Sequence, residues 1–402
     1  MAGIKYWVWL SALQMRPKAK HLLLSVFDSD PMALYFTEEK QLLAVDGITD
    51  KDVASIGRRE LDTAERALSQ CEQEGISVVT LQDAAYPRRL QNIYAPPVVL
   101  YVKGRFPAMD EEPAIAVIGT RDPTPYGIKM GRRMGYEITK CGGLVLSGLT
   151  RGVDRLGAEG ALRAGGRVVG VLATGLDEAT GGIYDDVAST GALVSEYPPG
   201  TMTHKTHFRQ RNRVTAGLAE GVVVVEAPEK SGALLFVDEA LEQGKEVFAV
   251  PGNADAPNSV GTNRMIRDGA KSVSTGWDVM CEFEGLYRNK VRHPGAEGLK
   301  IPQEEAPEYA DFVMVRQPTA KKVIDKKKPE EYIDLEKQLE GLSELQLTIV
   351  SAMSGPSMHI DDLIEATKLD AGTVLSELTM LEIEGMVTQE PGKRFTLNII
   401  RG

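Results

Sequence analysis

From Ala114 onward the chain repeats one unit: a short β-branched apolar run, a glycine-containing turn and a stretch of helical periodicity. The runs fall at Ala114–Gly119, Gly143–Gly148, Arg167–Gly175, Ala192–Glu196, Gly221–Ala227, Glu246–Gly252 and Lys271–Thr275. Most are apolar at nearly every position, so both faces of each strand need cover, as in a parallel sheet with helices on either side. The pattern predicts a doubly wound, Rossmann-like α/β domain over residues 86–286. Before it, residues 1–85 alternate apolar-periodic runs with Gly and Asp turns; one helix stops at Gly47 and another starts near Thr49, which predicts a small helical domain. Two strand-like segments, 75–81 and 96–104, flank Tyr86-Pro87-Arg88-Arg89, whose proline prevents one continuous helix, and they look like the lead-in to the sheet. After Glu284 the periodicity gives way to Pro, Glu and Lys, including Lys321-Lys322 and Lys326-Lys327-Lys328, predicting a solvated charged linker over 287–340. Periodicity returns at Leu345–Met353, Ile360–Thr367 and Ala371–Gly385, followed by two short strands around Pro391-Gly392. That order predicts a winged helix over 341–402.

Composition narrows the class. The 402 residues are 43% hydrophobic and 26% charged, as in cored soluble protein, and no run approaches the roughly 18 apolar residues of a spanning helix. With no signal-peptide organisation at Met1–Lys20, the expected location is the cytoplasm. Cys71, Cys141 and Cys281 are odd in number and far apart, which argues against a disulfide framework or a Cys-x-x-Cys metal knuckle. A net charge of −11 speaks against nucleic acid at first sight. Its distribution changes that. The two flanking domains carry −4 (1–85) and −5 (341–402), whereas the central domain carries 22 basic against 24 acidic residues.

Within the centre, the strand ends carry Gly119-Thr120-Arg121, Ser147-Gly148 with Arg151, Thr174-Gly175, Ser195-Glu196, Ser231-Gly232 and Pro251-Gly252. In an open parallel sheet the carboxyl ends meet in a crevice, where glycine permits close backbone approach and helix N-termini present N–H groups to anions. A phosphate-binding rim follows, although Gly and Ser also serve simply to make tight turns. The densest local signal is Lys205-Thr-His-Phe208-Arg209-Gln-Arg211-Asn212-Arg213, with four full positive charges in nine residues and no acid between Glu196 and Glu220. Guanidiniums suit phosphates and Phe208 can stack a base without reading it, the combination expected for single strands. Because the segment runs on into apolar Val214–Leu218, Arg211 and Arg213 have internal ion pairing as an alternative role. There is no P-loop, no Gly-x-Gly-x-x-Gly on the first strand and no metal spacing among the histidines; no cofactor, metal or catalytic residue is assigned.

These phrases resemble the DNA-processing protein A (DprA/Smf) family. The resemblance rests on Ile118-Gly-Thr-Arg121, Ser147-Gly-Leu-Thr-Arg151-Gly-Val-Asp154, Gly191–Gly200, Phe208-Arg-Gln-Arg-Asn-Arg213, Val225-Glu-Ala, Ser231-Gly232, Val247–Gly252 and Gly261–Ala270, in that order. Residues 86–104 look like the family's lead-in. The flanking domains are similar, more weakly, to its accessory SAM or helix-hairpin-helix-like and winged-helix domains. The resemblance implies a nonenzymatic protein that binds single-stranded DNA, protects incoming strands and loads the RecA recombinase in natural transformation, competence and recombination. It also implies a homodimer through the central domain. On this view Gly119, Thr120, Arg121, Ser147, Gly148, Arg151, Lys205, Phe208, Arg211, Asn212 and Arg213 line the DNA pocket, joined from the rim by Ser231 and Gly232. The chain departs from the family pattern at Ala158, where a histidine is usual, at Glu178–Tyr184, which replaces a Tyr-Pro-x-x-Asn segment, and at Arg209, where a proline is usual. Two rivals stand beside this reading. One is a nucleotide-binding or nucleotide-hydrolysing Rossmann-like enzyme related to nucleoside-monophosphate phosphoribohydrolases, which carry a catalytic glutamate where this chain has Arg264. The other is an interaction hub whose acidic winged helix binds protein.

Overall fold

A computed structural model describes residues 3–57, 59–298, 342–353, 358–383, 386–390 and 394–397. The chain forms two compact units, Met1–Asp311 and Phe312–Gly402. The first is built on a nine-stranded sheet: β1 (Ile76–Thr80), β2 (Val99–Gly104), β3 (Ala114–Ile118), β4 (Leu144–Ser147), β5 (Val168–Leu172), β6 (Ala192–Ser195), β7 (Gly221–Val224), β8 (Glu246–Ala249) and β9 (Lys271–Ser272). Their spatial order is β1-β2-β6-β5-β4-β3-β7-β8-β9. Strands β6 to β9 in that order run parallel, while β2 joins β6, and β1 joins β2, antiparallel.

Every residue of β3, β4, β5, β6 and β7 is buried because the two faces feed two cores. Ile115 and Val117 point to one, Ala114, Ala116 and Ile118 to the other. Helices Pro125–Lys140 and Val153–Arg163 contribute Met130, Met134, Ile138, Val153 and Ala161 to the first core. Helices Lys205–Leu218 and Gly232–Glu242 contribute Val214, Ala216, Phe236 and Ala240 to the second. The chain thus winds outward from β3 to β6 under one layer and returns to β7 and β8 under the other, which makes β3/β7 the topological switch point. The first two helices meet backbone to backbone: a Cβ on Gly135 would lie 1.9 Å from the Gly157 carbonyl oxygen, and one on Gly160 2.0 Å from that of Arg132.

The sheet extends beyond the sequence boundaries on both sides. Strand β1 lies within 1–85 yet pairs along its whole length with β2, and Trp7, Trp9 and Leu10 share a core with Val99 and Tyr101. The Tyr101 hydroxyl meets Ser11 Oγ at 3.0 Å. At the other end, Tyr287 donates to Glu220 (2.6 Å), Lys290 pairs with Glu112 (3.0 Å) and Val291 is buried, so the first seven or so residues assigned to the linker pack on this unit. Charged neighbours made these few apolar positions read as solvated. The lysine runs at 321–328 lie outside the described residues.

In the second unit, helices Glu344–Ala352, Ile360–Thr367 and Ala371–Ile383 enclose a core of Ile349, Leu363, Val374, Leu378 and Phe395. A small sheet ordered β10 (Met358–His359), β12 (Arg394–Leu397), β11 (Val387–Glu390) completes a winged helix. A Ser343/Gln346 capping box starts its first helix. Among the described residues no helix is long and apolar enough to cross a membrane.

Candidate nucleic-acid interface

The loop after β3 is clamped from both sides. Thr120 N donates to the Glu226 carbonyl (2.7 Å) and Val153 N donates to the Thr120 carbonyl (3.1 Å). A Cβ on Gly119 would fall 2.8 Å from both the Glu226 oxygen and Val153, so only glycine fits this crossing. With the backbone fixed, the exposed Arg121 side chain extends over the Phe208 ring, guanidinium carbon to ring centroid 5.3 Å. Phe208 stands on the Lys205–Leu218 helix, one turn after exposed Lys205 and therefore on the same face. Arg151 is exposed and pairs with equally exposed Asp122 at 2.8 Å. A pair so well solvated is worth little, so Arg151 can exchange its carboxylate for a phosphate at small cost. Asn212 is half-buried next to buried Arg211.

The other rim residues have structural work. Ser147 is buried; its Oγ donates to the Asp154 carbonyl (2.8 Å) and accepts from Leu149 N (2.9 Å). Gly148 N and Thr150 Oγ1 donate to the two Asp154 carboxylate oxygens at 2.9 and 2.7 Å. This carboxylate organises the whole turn and holds Leu149 in the left-handed region at φ 52°. Arg211 is only 8% exposed; its Nη1 donates to the Val171 carbonyl at 3.3 Å and lies 3.8 Å from Asp154. Burial lowers the Arg211 pKa, opposed by Asp154. A Cβ on Gly148 would sit 1.2 Å from Arg211 Nη1, so the glycine makes room for this guanidinium rather than for a ligand. Arg213, 7% exposed, points its Nη2 at both oxygens of Glu196 (2.6 and 2.8 Å). Ser231 caps the Gly232–Glu242 helix by accepting from Ala233 N at 3.2 Å, and Gly232 faces open space. Of the four cations between Lys205 and Arg213, two are therefore held internally and two, Lys205 and Arg209, are exposed.

Three acids carry roles that the sequence alone did not assign to them: Asp154, Glu196 and Glu226. Glu226, at 2% exposure, lies two residues beyond β7 at the switch point and accepts from Thr124 N (3.0 Å) and Thr124 Oγ1 (2.5 Å) at the N-terminus of the Pro125–Lys140 helix. The helix dipole favours its charge there. The available signal was an acid placed immediately after an apolar strand, as in Ser195-Glu196 and Val225-Glu226. His207 stacks on Tyr197 (4.2 Å between centroids, 25° between planes), and desolvation lowers its pKa. Among the described residues no three His, Cys, Asp or Glu side chains gather as a metal site. Arg264 is an exposed cation paired with Asp268 at 3.5 Å.

Comparison with known proteins identifies the family. The model of the family described as DNA recombination-mediator protein A matches residues 77–284, and the DprA winged helix domain matches 334–393. The protein Smf of Synechocystis sp. is 31% identical over 359 residues, covering 87% of this chain and 88% of its own length. The DNA processing protein DprA of Bacillus subtilis is 38% identical over 236 residues, 57% of this chain and 77% of that protein. The crystal structure of DNA processing protein A from Streptococcus pneumoniae superposes with a TM-score of 0.60 at 30% identity, covering 69% of this chain and 96% of that one. The chain belongs to the DNA recombination-mediator protein A (DprA/Smf) family of DNA-processing proteins.

Proposed function

We propose that the crevice at the carboxyl ends of β3 and β4 binds single-stranded DNA without catalysing a reaction on it. In this role the protein shields incoming strands and passes them to the RecA recombinase during natural transformation, acting as a homodimer through the central domain. Family membership supports the RecA, transformation and dimer parts of the reading. The observation that carries the DNA part is Arg121 lying on the Phe208 ring. A guanidinium placed over an aromatic ring leaves its donors available for phosphate, and the ring beside it offers a sequence-blind stacking surface. Arg151, from the turn after β4, and Lys205, from the first turn of its helix, add two further exposed charges, so the crevice is cationic although the whole chain is acidic. Arg264 supplies no carboxylate for general acid–base work, which favours binding over hydrolysis.

Three exposed cations set a magnitude. Each phosphate neutralised on a single strand contributes about −0.7 to the slope of log affinity against log salt, so a slope near −2 is expected. Anisotropy titrations of labelled oligo-dT and of a duplex across a salt series test this. Arg121→Glu or Lys205→Glu is expected to weaken single-strand binding severely with unchanged thermal unfolding. Unaltered affinity in both variants refutes the assignment, and release of free base from nucleoside monophosphates would restore the hydrolase.

A further inference from the structure

On an adjacent face the Lys205–Leu218 helix borders a second groove, of roughly 960 Å³, against the N-terminal helices and the Asn92–Ala95 turn. Six cations line it against two carboxylates, Glu239 and Glu242. Arg16 is paired with Asp52 and Arg89 with Glu220, while Lys18, Arg209 and Lys245 have no ion-pair partner among the described residues. Two observations point to an anionic ligand. Lys18 and Arg209 are exposed and are neutralised by no acid among the described residues, so the groove presents available positive charge. Tyr94, also lining the groove, is 68% exposed, with the Lys18 ammonium 5.6 Å from its ring centroid. An aromatic beside a cation is the arrangement already met at Phe208 and Arg121. Helical geometry joins the two sites: Arg209 and Arg213, one turn apart, line the groove, Phe208 lies about 100° or more around the helix from them, and Lys205 falls between.

We propose that this groove holds a second stretch of the same single strand, with Arg209 and Lys18 on its phosphates and Tyr94 stacking a base. The inference rests on the crevice binding single-stranded DNA and adds a path by which the strand continues around the helix. Binding is measured for oligo-dT of about 6 nucleotides, enough to fill one site, and of about 20, enough to reach both. The Lys18→Glu/Tyr94→Ala double variant is expected to lose about tenfold in affinity for the longer strand and to keep wild-type affinity for the shorter. Arg121→Glu should weaken both. Unchanged binding of the 20-mer by the double variant, with Arg121→Glu still impaired, overturns the groove and leaves the crevice standing. The reverse pattern overturns the crevice alone. A 20-mer carrying 5-iodouracil gives a second reading on the unaltered protein: a photo-crosslink at Tyr94 supports the path, and crosslinks that omit Tyr94 and residues of its groove contradict it.

Discussion

Replacing Asp154 by Asn isolates the charge that builds the rim of the crevice. The carboxylate receives Gly148 N, Thr150 Oγ1 and Ser147 Oγ at 2.9, 2.7 and 3.2 Å, and lies 3.8 Å from the buried Arg211 guanidinium. The amide preserves shape and retains one acceptor oxygen, but its nitrogen turns donors toward Thr150 N and Arg211. Leaving a buried guanidinium without its counter-charge costs about 3–5 kcal/mol, and weakening the hydrogen bonds to a charged group adds about 1 kcal/mol. Arg211 keeps the Val171 carbonyl as a partner, so the lower end, about 3 kcal/mol, is the expected loss. Trp7, Trp9 and Trp277 all lie in the first unit, so urea unfolding followed by tryptophan fluorescence reports on that unit alone. Arg211→Met in the Asp154→Asn background should recover part of the loss, a coupling of about 2 kcal/mol in a double-mutant cycle. A loss under about 1 kcal/mol, or strict additivity, would show that Arg211 is not held by Asp154 and would return it to the list of phosphate ligands.

Three further outcomes follow from packing and charge. Gly135→Ala pushes a methyl into the Gly157 carbonyl, 1.9 Å away, and should cost about 1–3 kcal/mol in the same urea experiment by prising the two helices apart. Ser231→Ala should lose about 1 kcal/mol with its helix cap, whereas Gly232→Ala, which meets nothing within 4 Å, should gain up to about 1 kcal/mol; equal effects would contradict the capping role. Lys20, whose Nζ donates to the Ser11 carbonyl at 2.6 Å, has its pKa lowered by burial to about 8, with Glu196 opposing and Arg213 reinforcing the shift. The folded state then releases this proton before the unfolded state does, so the penalty for burying the charge is complete below pH 8 and fades as pH rises toward 10.5. Wild-type stability relative to Lys20→Met should rise by about 3 kcal/mol across that window, and a constant difference between the two proteins would refute the burial of a charged lysine.

Charge density along the chain and charge available to a ligand turn out to be different quantities here, and the difference explains what the sequence revealed. Strands such as 114–118 were legible because burial on both faces leaves a continuous apolar run, a local property. The Lys205–Arg213 segment was legible for the same reason, as a local excess of cations. Its neutralisers are not local. Glu196 meets Arg213 from 17 residues away at the end of β6, and Asp154 reaches Arg211 from another helix. Only the parallel register of β4, β5 and β6 brings those acids beside the helix. Nor could the run of residues show that alternate arginines face different grooves until the helix was phased against the sheet. The glycines at 119 and 148 were assigned to ligand approach, yet one makes way for a backbone crossing and the other for a guanidinium, because a missing Cβ has the same signature whatever fills its place. The rule that ligands meet strand ends named six turns alike; the structure distinguishes those after β3 and β4, where Arg121 and Arg151 carry exposed charge on loops fixed by Glu226, Val153 and Asp154. The cationic character of the crevice therefore comes from single residues contributed by several strand ends, each held by a buried acid or backbone clamp. Charge reversal at Arg121 should consequently remove more affinity than reversal at Arg209, although only the latter sits in the densest basic run.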